Sequence, residues 1–189
     1  MRIISGLFKG KKILEPKDFK TRPLKDLTKE SIFNIIIHSK KFTVDLKNSN
    51  ILDLFSGVGS FGIECLSREA KKVVFIENYN EVLPILKKNL ISIKSIKNYK
   101  IIENDVYDNR TFLKLDNKFD IIFLDPPYKD KNLKNVLNNI KNEKILNKTG
   151  IIIIHRHKNE KDTLPKTFKI IEEKKYGISK ILFLSYLNK

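Results

Sequence analysis

From about residue 49 onward, short runs of Val, Ile, Leu and Phe alternate with helical patterns. This alternation constrains the fold more than any other feature. Ile51–Phe55 reads as a buried strand running into Ser56-Gly57-Val58-Gly59, with a helix over about 59–69. Val73–Ile76 is a second strand, ending at Glu77, and a helix follows from Asn80 to about Ile93 with Pro84 near its first turn. Ile101–Ile102 leads into Glu103-Asn104-Asp105, and Phe119–Leu124 into Asp125-Pro126-Pro127-Tyr128. Leu133, Val136, Leu137 and Ile140 mark another helix, and Gly150–Ile154 a fifth strand. The tail, Lys169–Lys174 and Lys180–Tyr186 around Tyr176-Gly177, reads as a hairpin. Strands this uniformly apolar, separated by helices, form a parallel α/β sheet covered on both faces. Ligands of such sheets bind beyond the carboxyl ends of the strands.

Residues 1–25 differ from this pattern. They are basic and read as a β-hairpin extension, with strands Arg2–Ser5 and Lys11–Leu14. The loop Thr21-Arg22-Pro23-Leu24 follows, then a helix capped by Asp26 or Thr28 that carries Ile32, Phe33, Ile36 and Ile37 on one face. The chain thus divides into an extension (1–25) and a main domain (26–189). The 189 residues carry a formal charge of +16. Lysine supplies 33 of the 38 positive residues, and Ile, Asn and Lys together make up 79 positions, so codon drift and a polyanionic partner compete as explanations. The longest aliphatic runs are too short to span a membrane. A single cysteine, Cys65, excludes an internal disulfide framework and is expected to be a packed core thiol in a cytoplasmic protein. His155 and His157 lack a companion ligand cluster, so no metal site is expected.

Four strand ends carry polar signatures. Gly57-x-Gly59-x-x-Gly62, with Glu77 20 residues after Gly57, matches a dinucleotide fingerprint. A nicotinamide or flavin site and an S-adenosyl-L-methionine site both fit it. Asp53, just ahead of the glycines, favours the second, because a carboxylate there suits a cationic methionine moiety and sits badly beside a pyrophosphate. Glu77 can accept from a ribose diol. Asp105, after Asn104, can accept from an adenine amino group or can simply close an Asx turn. Asp125-Pro126-Pro127-Tyr128 is the most informative stretch. Its two prolines remove two N–H donors. The Asp125 side chain and the Pro126 carbonyl can hold the two hydrogens of an exocyclic amine, and Tyr128 offers a face for stacking on a base. Methyl transfer to that amine would proceed by positioning and electrostatics.

With these motifs the chain resembles class I AdoMet-dependent methyltransferases of exocyclic amines. It is most similar to the bacterial 16S rRNA (guanine(966)-N2)-methyltransferase family. The resemblance covers nearly the whole chain and includes Met1-Arg2-Ile3-Ile4-Ser5-Gly6-x-x-Lys9-Gly10 and Thr21-Arg22-Pro23-x-x-Asp26-x-x-Lys29-Glu30. It implies a Rossmann-like, seven-stranded, mostly parallel sheet with an antiparallel last hairpin. It also implies cofactor contacts from Asp53, Phe55, Ser56, Gly57, Gly59, Glu77, Asn78, Asn104 and Asp105. RNA contacts are implied at Lys9, Lys11, Lys12, Arg22 and Lys29. The implied partner is 16S rRNA, free or in a 30S particle, and the chain is expected to act as a monomer without membrane association. Three positions depart from the family pattern: Leu27-Thr28 in place of Arg-Val, His155 where an acid is common, and Glu69 in place of a glycine. An adenine-N6 methyltransferase, a dinucleotide-dependent oxidoreductase and a non-catalytic RNA-binding relic are the alternatives.

Overall fold

A computed structural model describes residues 1–16, 24–93, 96–127 and 130–187. Among these, the seven strands are β1 (Asn50–Leu54), β2 (Lys72–Ile76), β3 (Tyr99–Ile102), β4 (Phe119–Leu124), β5 (Leu146–His157), β6 (Phe168–Tyr176) and β7 (Ser179–Tyr186). They form one sheet in the order β3-β2-β1-β4-β5-β7-β6. The first five are parallel, and β7 runs antiparallel to both β5 and β6. The strand order reverses at β1, between β2 and β4, which places the crevice of a doubly wound sheet above β1 and β4.

Successive strand residues point to opposite faces, and two cores result. One gathers Ile51, Phe75, Phe123, Ile153 and Phe183 under α1 (Asp26–His38), α2 (Ser60–Ser67) and α3 (Leu83–Ser92). The other gathers Leu52, Leu54, Val74, Ile122 and Ile154 under α4 (Asn109–Phe112) and α5 (Leu133–Asn142). Burial on both faces explains why β1, β2, β4 and the later part of β5 read as apolar runs, whereas β3, at the sheet edge, is only partly buried. Among the described residues, no helix is long and apolar enough to cross a membrane.

The N-terminal segment departs from the expected hairpin. Its arms are antiparallel and bonded, Ile3 N–H to the Lys11 carbonyl at 2.9 Å, Gly10 N–H to the Ile3 carbonyl at 2.8 Å and Ile13 N–H to the Met1 carbonyl at 3.1 Å, but they register as one bridge, Arg2 to Lys12, and not as two full strands. The remaining donors of the segment turn to α2. The N–H groups of Ile4 and Ser5 donate to the Glu64 carboxylate at 2.7 and 2.9 Å, and those of Leu7 and Phe8 donate to the Ser67 carbonyl and hydroxyl. The segment is therefore bonded to α2 as much as to itself. Ile3 and Ile13 are buried in the first core, so residues 1–16 pack with the main domain. Asn89 on α3 completes the attachment, accepting from Leu14 N–H and donating to the carbonyls of Leu14 and Val58.

Two smaller differences concern element boundaries. Helix α1 starts at Asp26 with no side-chain cap, because Asp26 is itself the first helical residue and Thr28 is buried. Strand β5 extends well beyond Gly150–Ile154, because β4 and β7 supply partners on both edges.

Candidate active site

The chain leaves β1 through backbone that needs special conformations. Phe55, Gly57 and Gly59 have φ of 58°, 54° and 85°. A Cβ added at Gly57 would meet nothing within 4 Å, so the loop presents an open face there. Gly62 is the opposite case: a Cβ would lie 2.3 Å from the Phe75 ring and 2.9 Å from Asp53 Oδ2. That close approach lets the N–H of Gly62 donate to Asp53 Oδ2 at 2.9 Å. The Ser56 hydroxyl donates to the Asp53 carbonyl at 2.6 Å, so it shapes the turn from within.

Glu77 holds this loop from the end of β2. Its Oε2 accepts from Gly57 N–H at 2.7 Å, and its Oε1 accepts from Asn78 and Tyr79 N–H, each at 2.9 Å. Asp53 is fully buried, and burial pushes its carboxyl well above the usual range; Asp125 and Glu77 add to the shift, while the Gly62 N–H opposes it. Asp125 and Glu77 each lie near enough to Asp53 to act on its carboxyl, so three acidic side chains gather near the switch point, where a bound cation would favour the ionised form of Asp53.

At the third strand end, Asp105 is exposed, and its Oδ1 accepts from Tyr107 N–H at 2.8 Å, closing an Asx turn. Asn104 Oδ1 accepts from Lys114 Nζ at 2.8 Å. The Phe55 ring tilts against Tyr107 with centroids 5.4 Å apart.

At the fourth, Asp125 is half-buried and its N–H reaches the Leu54 carbonyl of β1 at 3.4 Å. Asp125 Oδ1 lies 2.8 Å from His155 Nδ1, and His155 Nε2 lies 2.9 Å from Ser179 Oγ. Pro126 is buried and Pro127 exposed. The Pro127 carbonyl accepts from Arg156 at 3.1 Å, and the Asp130 carbonyl accepts from the same guanidinium at 2.8 Å. Tyr128 and Arg22 lie outside the described residues.

Sequence reasoning missed the two β5 residues that grip this motif. A signal for His155 was present. The parallel register pairs Leu124 with Ile154, so the next residues along, Asp125 and His155, emerge side by side. Arg156 carried no such signal, because a basic residue at a strand end reads as solvated, whereas here it is fully buried.

Among the residues expected to touch RNA, Lys29 requires correction. Its side chain is fully buried, with Nζ donating to the Arg2 carbonyl at 2.7 Å and lying 3.7 Å from Glu64. It is a structural cation beneath the N-terminal segment and presents nothing to a polyanion. Burial lowers its pKa, and Glu64 and Asp26 oppose that. Lys9 and Lys12 are exposed, while Lys11 donates through Nζ to the Ser92 carbonyl. Cys65 is buried, and its thiol is pushed up by desolvation.

Strand order, the glycine turn after β1 and the acidic residues at the strand ends together define the architecture of a class I methyltransferase. Comparison with known proteins agrees. The chain belongs to the family described as Conserved hypothetical protein 95, which matches residues 1–185. It is 33% identical over 182 residues to ribosomal RNA small subunit methyltransferase D of Haemophilus influenzae, covering 94% of this chain and 90% of that protein. The solved structure of yhhF from Escherichia coli superposes with a TM-score of 0.82 at 25% identity, covering 100% of this chain and 99% of that one. A ribosomal protein L11 methylase from Lactobacillus delbrueckii shares the fold, with a TM-score of 0.68 at 18% identity over 97% of this chain and 90% of that one.

Proposed function

We propose that this protein transfers a methyl group from S-adenosyl-L-methionine to the exocyclic N2 of a guanine in 16S rRNA, by family resemblance guanine 966. The observation that carries the reading is the placement of Asp125. It is a carboxylate at the end of β4, beside β1 and the glycine turn, followed by two prolines and locked to His155.

The residues present fit the cofactor. Asp53 lies near Asp125 and Glu77, and a positively charged group bound there would draw the proton from its buried carboxyl and pair with it. The open face at Gly57 admits a ligand close to the backbone. A carboxylate has about four acceptor positions. Three of those on Glu77 are taken by backbone N–H groups, which leaves Oε2 able to accept from a ribose hydroxyl. Asp105 stands after β3 and is assigned as the acceptor for the adenine amine, with further cofactor contacts assigned to Phe55, Ser56, Asn78 and Asn104. When bound, S-adenosyl-L-methionine supplies an electrophilic sulfonium methyl.

The chain's own part is to hold the amine. An aromatic amine is a weak nucleophile because its lone pair is delocalised into the ring. Acceptance of its two hydrogens by the Asp125 carboxylate and the Pro126 carbonyl orients the nitrogen and raises its electron density. Such fixed acceptors are effective because no reorganisation is needed at the moment of reaction. A guanine within folded RNA must leave its stack to reach Asp125, and Tyr128 is assigned to hold it. We take the substrate to be the 30S particle or an assembly intermediate, and the chain to act as a monomer. Lys9, Lys12 and Arg22 are assigned to the RNA backbone.

The test is incubation of the purified protein and cofactor with small-subunit particles from a strain lacking the modification, followed by mass spectrometry of the digested 16S rRNA. N2-methylguanosine at one position is expected. N6-methyladenosine instead would move the assignment to adenine. Calorimetric binding of NAD(H) and not of S-adenosylhomocysteine would overturn it.

A further inference from the structure

The two prolines that free carbonyls at the site also deprive it of anchors. Neither Pro126 nor Pro127 has an N–H. Ladder bonding from β4 to β1 therefore ends with the long 3.4 Å bond from Asp125 N–H to Leu54. A catalytic carboxylate at such a point must be held by its side chain and by the carbonyls that follow it. Strand β5 supplies both grips from consecutive residues, which project to opposite faces. His155 meets the Asp125 carboxylate at 2.8 Å, and Arg156 spans the carbonyls of Pro127 and Asp130 while its Nε donates to Asp162 at 3.1 Å.

We propose that His155 is the positioning residue for Asp125, with the N–H of Nδ1 fixing Oδ1 so that Oδ2 faces the amine. This rests on the reading of Asp125 as the acceptor for the substrate amine. The His155 side chain is only 7% exposed, and its ring is bonded at both nitrogens, with Ser179 of β7 on the far side. An ionised carboxylate can only accept. Nδ1 must therefore carry a proton, and the contact with Ser179 through Nε2 settles the ring orientation. The C-terminal hairpin is thereby linked to the chemistry, since β7 brings the hydroxyl that steadies the ring steadying Asp125.

Two measurements test this. The chain has three histidines, so the ¹⁵N spectrum of the ring nitrogens is simple, and His155→Asn identifies the His155 signals by their loss. A protonated Nδ1 is expected at neutral pH; a bare Nδ1 with a proton only on Nε2 would overturn the inference. In methyl transfer to small-subunit particles, His155→Ala should lower kcat by about 10–100-fold, the scale of a small misplacement of a reacting group, with the Kd for S-adenosylhomocysteine unchanged. His155→Asn, whose amide nitrogen lies near the place of Nδ1, should recover most of that loss. His155→Gln, whose amide reaches toward Ser179 instead, should not recover it and serves if the alanine variant does not fold. Equal kcat in all the folded variants and wild type, or equal loss in Asn and Gln, would overturn the proposal. Absence of transfer by the wild-type protein would strike the functional reading, whereas a bare Nδ1 in a protein that methylates would remove this inference alone.

Discussion

The two halves of the crevice are held in different ways. On the side assigned to the cofactor, above β1 and β2, carboxylates bind backbone N–H groups: Asp53 takes Gly62, and Glu77 takes Gly57, Asn78 and Tyr79. Those partners are at most 20 residues apart in sequence. On the side assigned to the methyl acceptor, above β4 and β5, side chains bind side chains and carbonyls across 26 to 30 residues. The first half is held within a single β1–α2–β2 unit, whose register sets Glu77 beside Gly57. The second depends on the register that places β5 beside β4. The comparison predicts that substitutions in the first half change cofactor affinity and local stability, while those in the second change turnover.

The largest effect expected within the first half is at Glu77. Glu77→Ala removes three bonds to backbone N–H groups and the proposed ribose acceptor, so the Kd for S-adenosylhomocysteine should rise about 10–100-fold, with kcat at saturation largely kept. Calorimetry and saturation kinetics check this, and a fall in kcat with unchanged Kd would break the division. Next come the glycines. Gly62→Ala forces a Cβ against Phe75 and should cost about 1–3 kcal/mol in denaturant unfolding. Gly57→Ala has open space but a φ of 54°, and should cost about 1 kcal/mol. The reverse order would mean that the loop is not packed as described.

Asp53 gives a smaller effect of opposite sign. Its folded pKa is raised, so the folded state holds the proton more tightly than the unfolded state does. Its contribution to stability is therefore favourable only at low pH, and is lost as pH rises from the ordinary carboxylate pKa through the raised one. Asp53→Asn keeps an acceptor for Gly62 without the charge. The ligand-free variant should melt about 2–4 °C higher at neutral pH, a gain on the order of 1 kcal/mol, with the difference vanishing in acid, yet bind S-adenosylhomocysteine more weakly. Lower melting at neutral pH would contradict the raised carboxyl pKa of buried Asp53.

The smallest effect concerns RNA. Charge reversal at the exposed Lys9 and Lys12 should weaken binding and flatten its salt dependence by about one unit for each phosphate no longer neutralised. The same change at Lys174 and Lys175, which already pair with Glu172 and Glu173, should do less. Equal effects would mean that total charge does the binding.

What was legible in the sequence follows the same division. The apolar runs exposed the parallel sheet because burial on both faces leaves no polar alternation to confuse them. The glycine turn, Glu77 and Asp125 were legible because each is marked by a local spacing. The N-terminal hairpin was legible as a turn with paired arms, but its attachment to α2 was not, because Glu64 and Ser67, which take the donors of Ile4, Ser5 and Phe8, lie about 60 positions away. Lys29 was misread for the same reason: a lysine on a helix gives no sign of the buried Glu64 that neutralises it. His155 and Arg156 act on residues nearly thirty positions distant, which only the strand order brings together.

The most direct test of the account is the Asp125→Ala variant, measured for both halves at once. Transfer to 16S rRNA in small-subunit particles should fall by about 10²–10³-fold or more, while calorimetry should show S-adenosylhomocysteine binding close to that of the wild-type protein. Full turnover by the variant, or a loss of turnover accompanied by an equal loss of cofactor binding, would contradict the assignment of Asp125 to the amine.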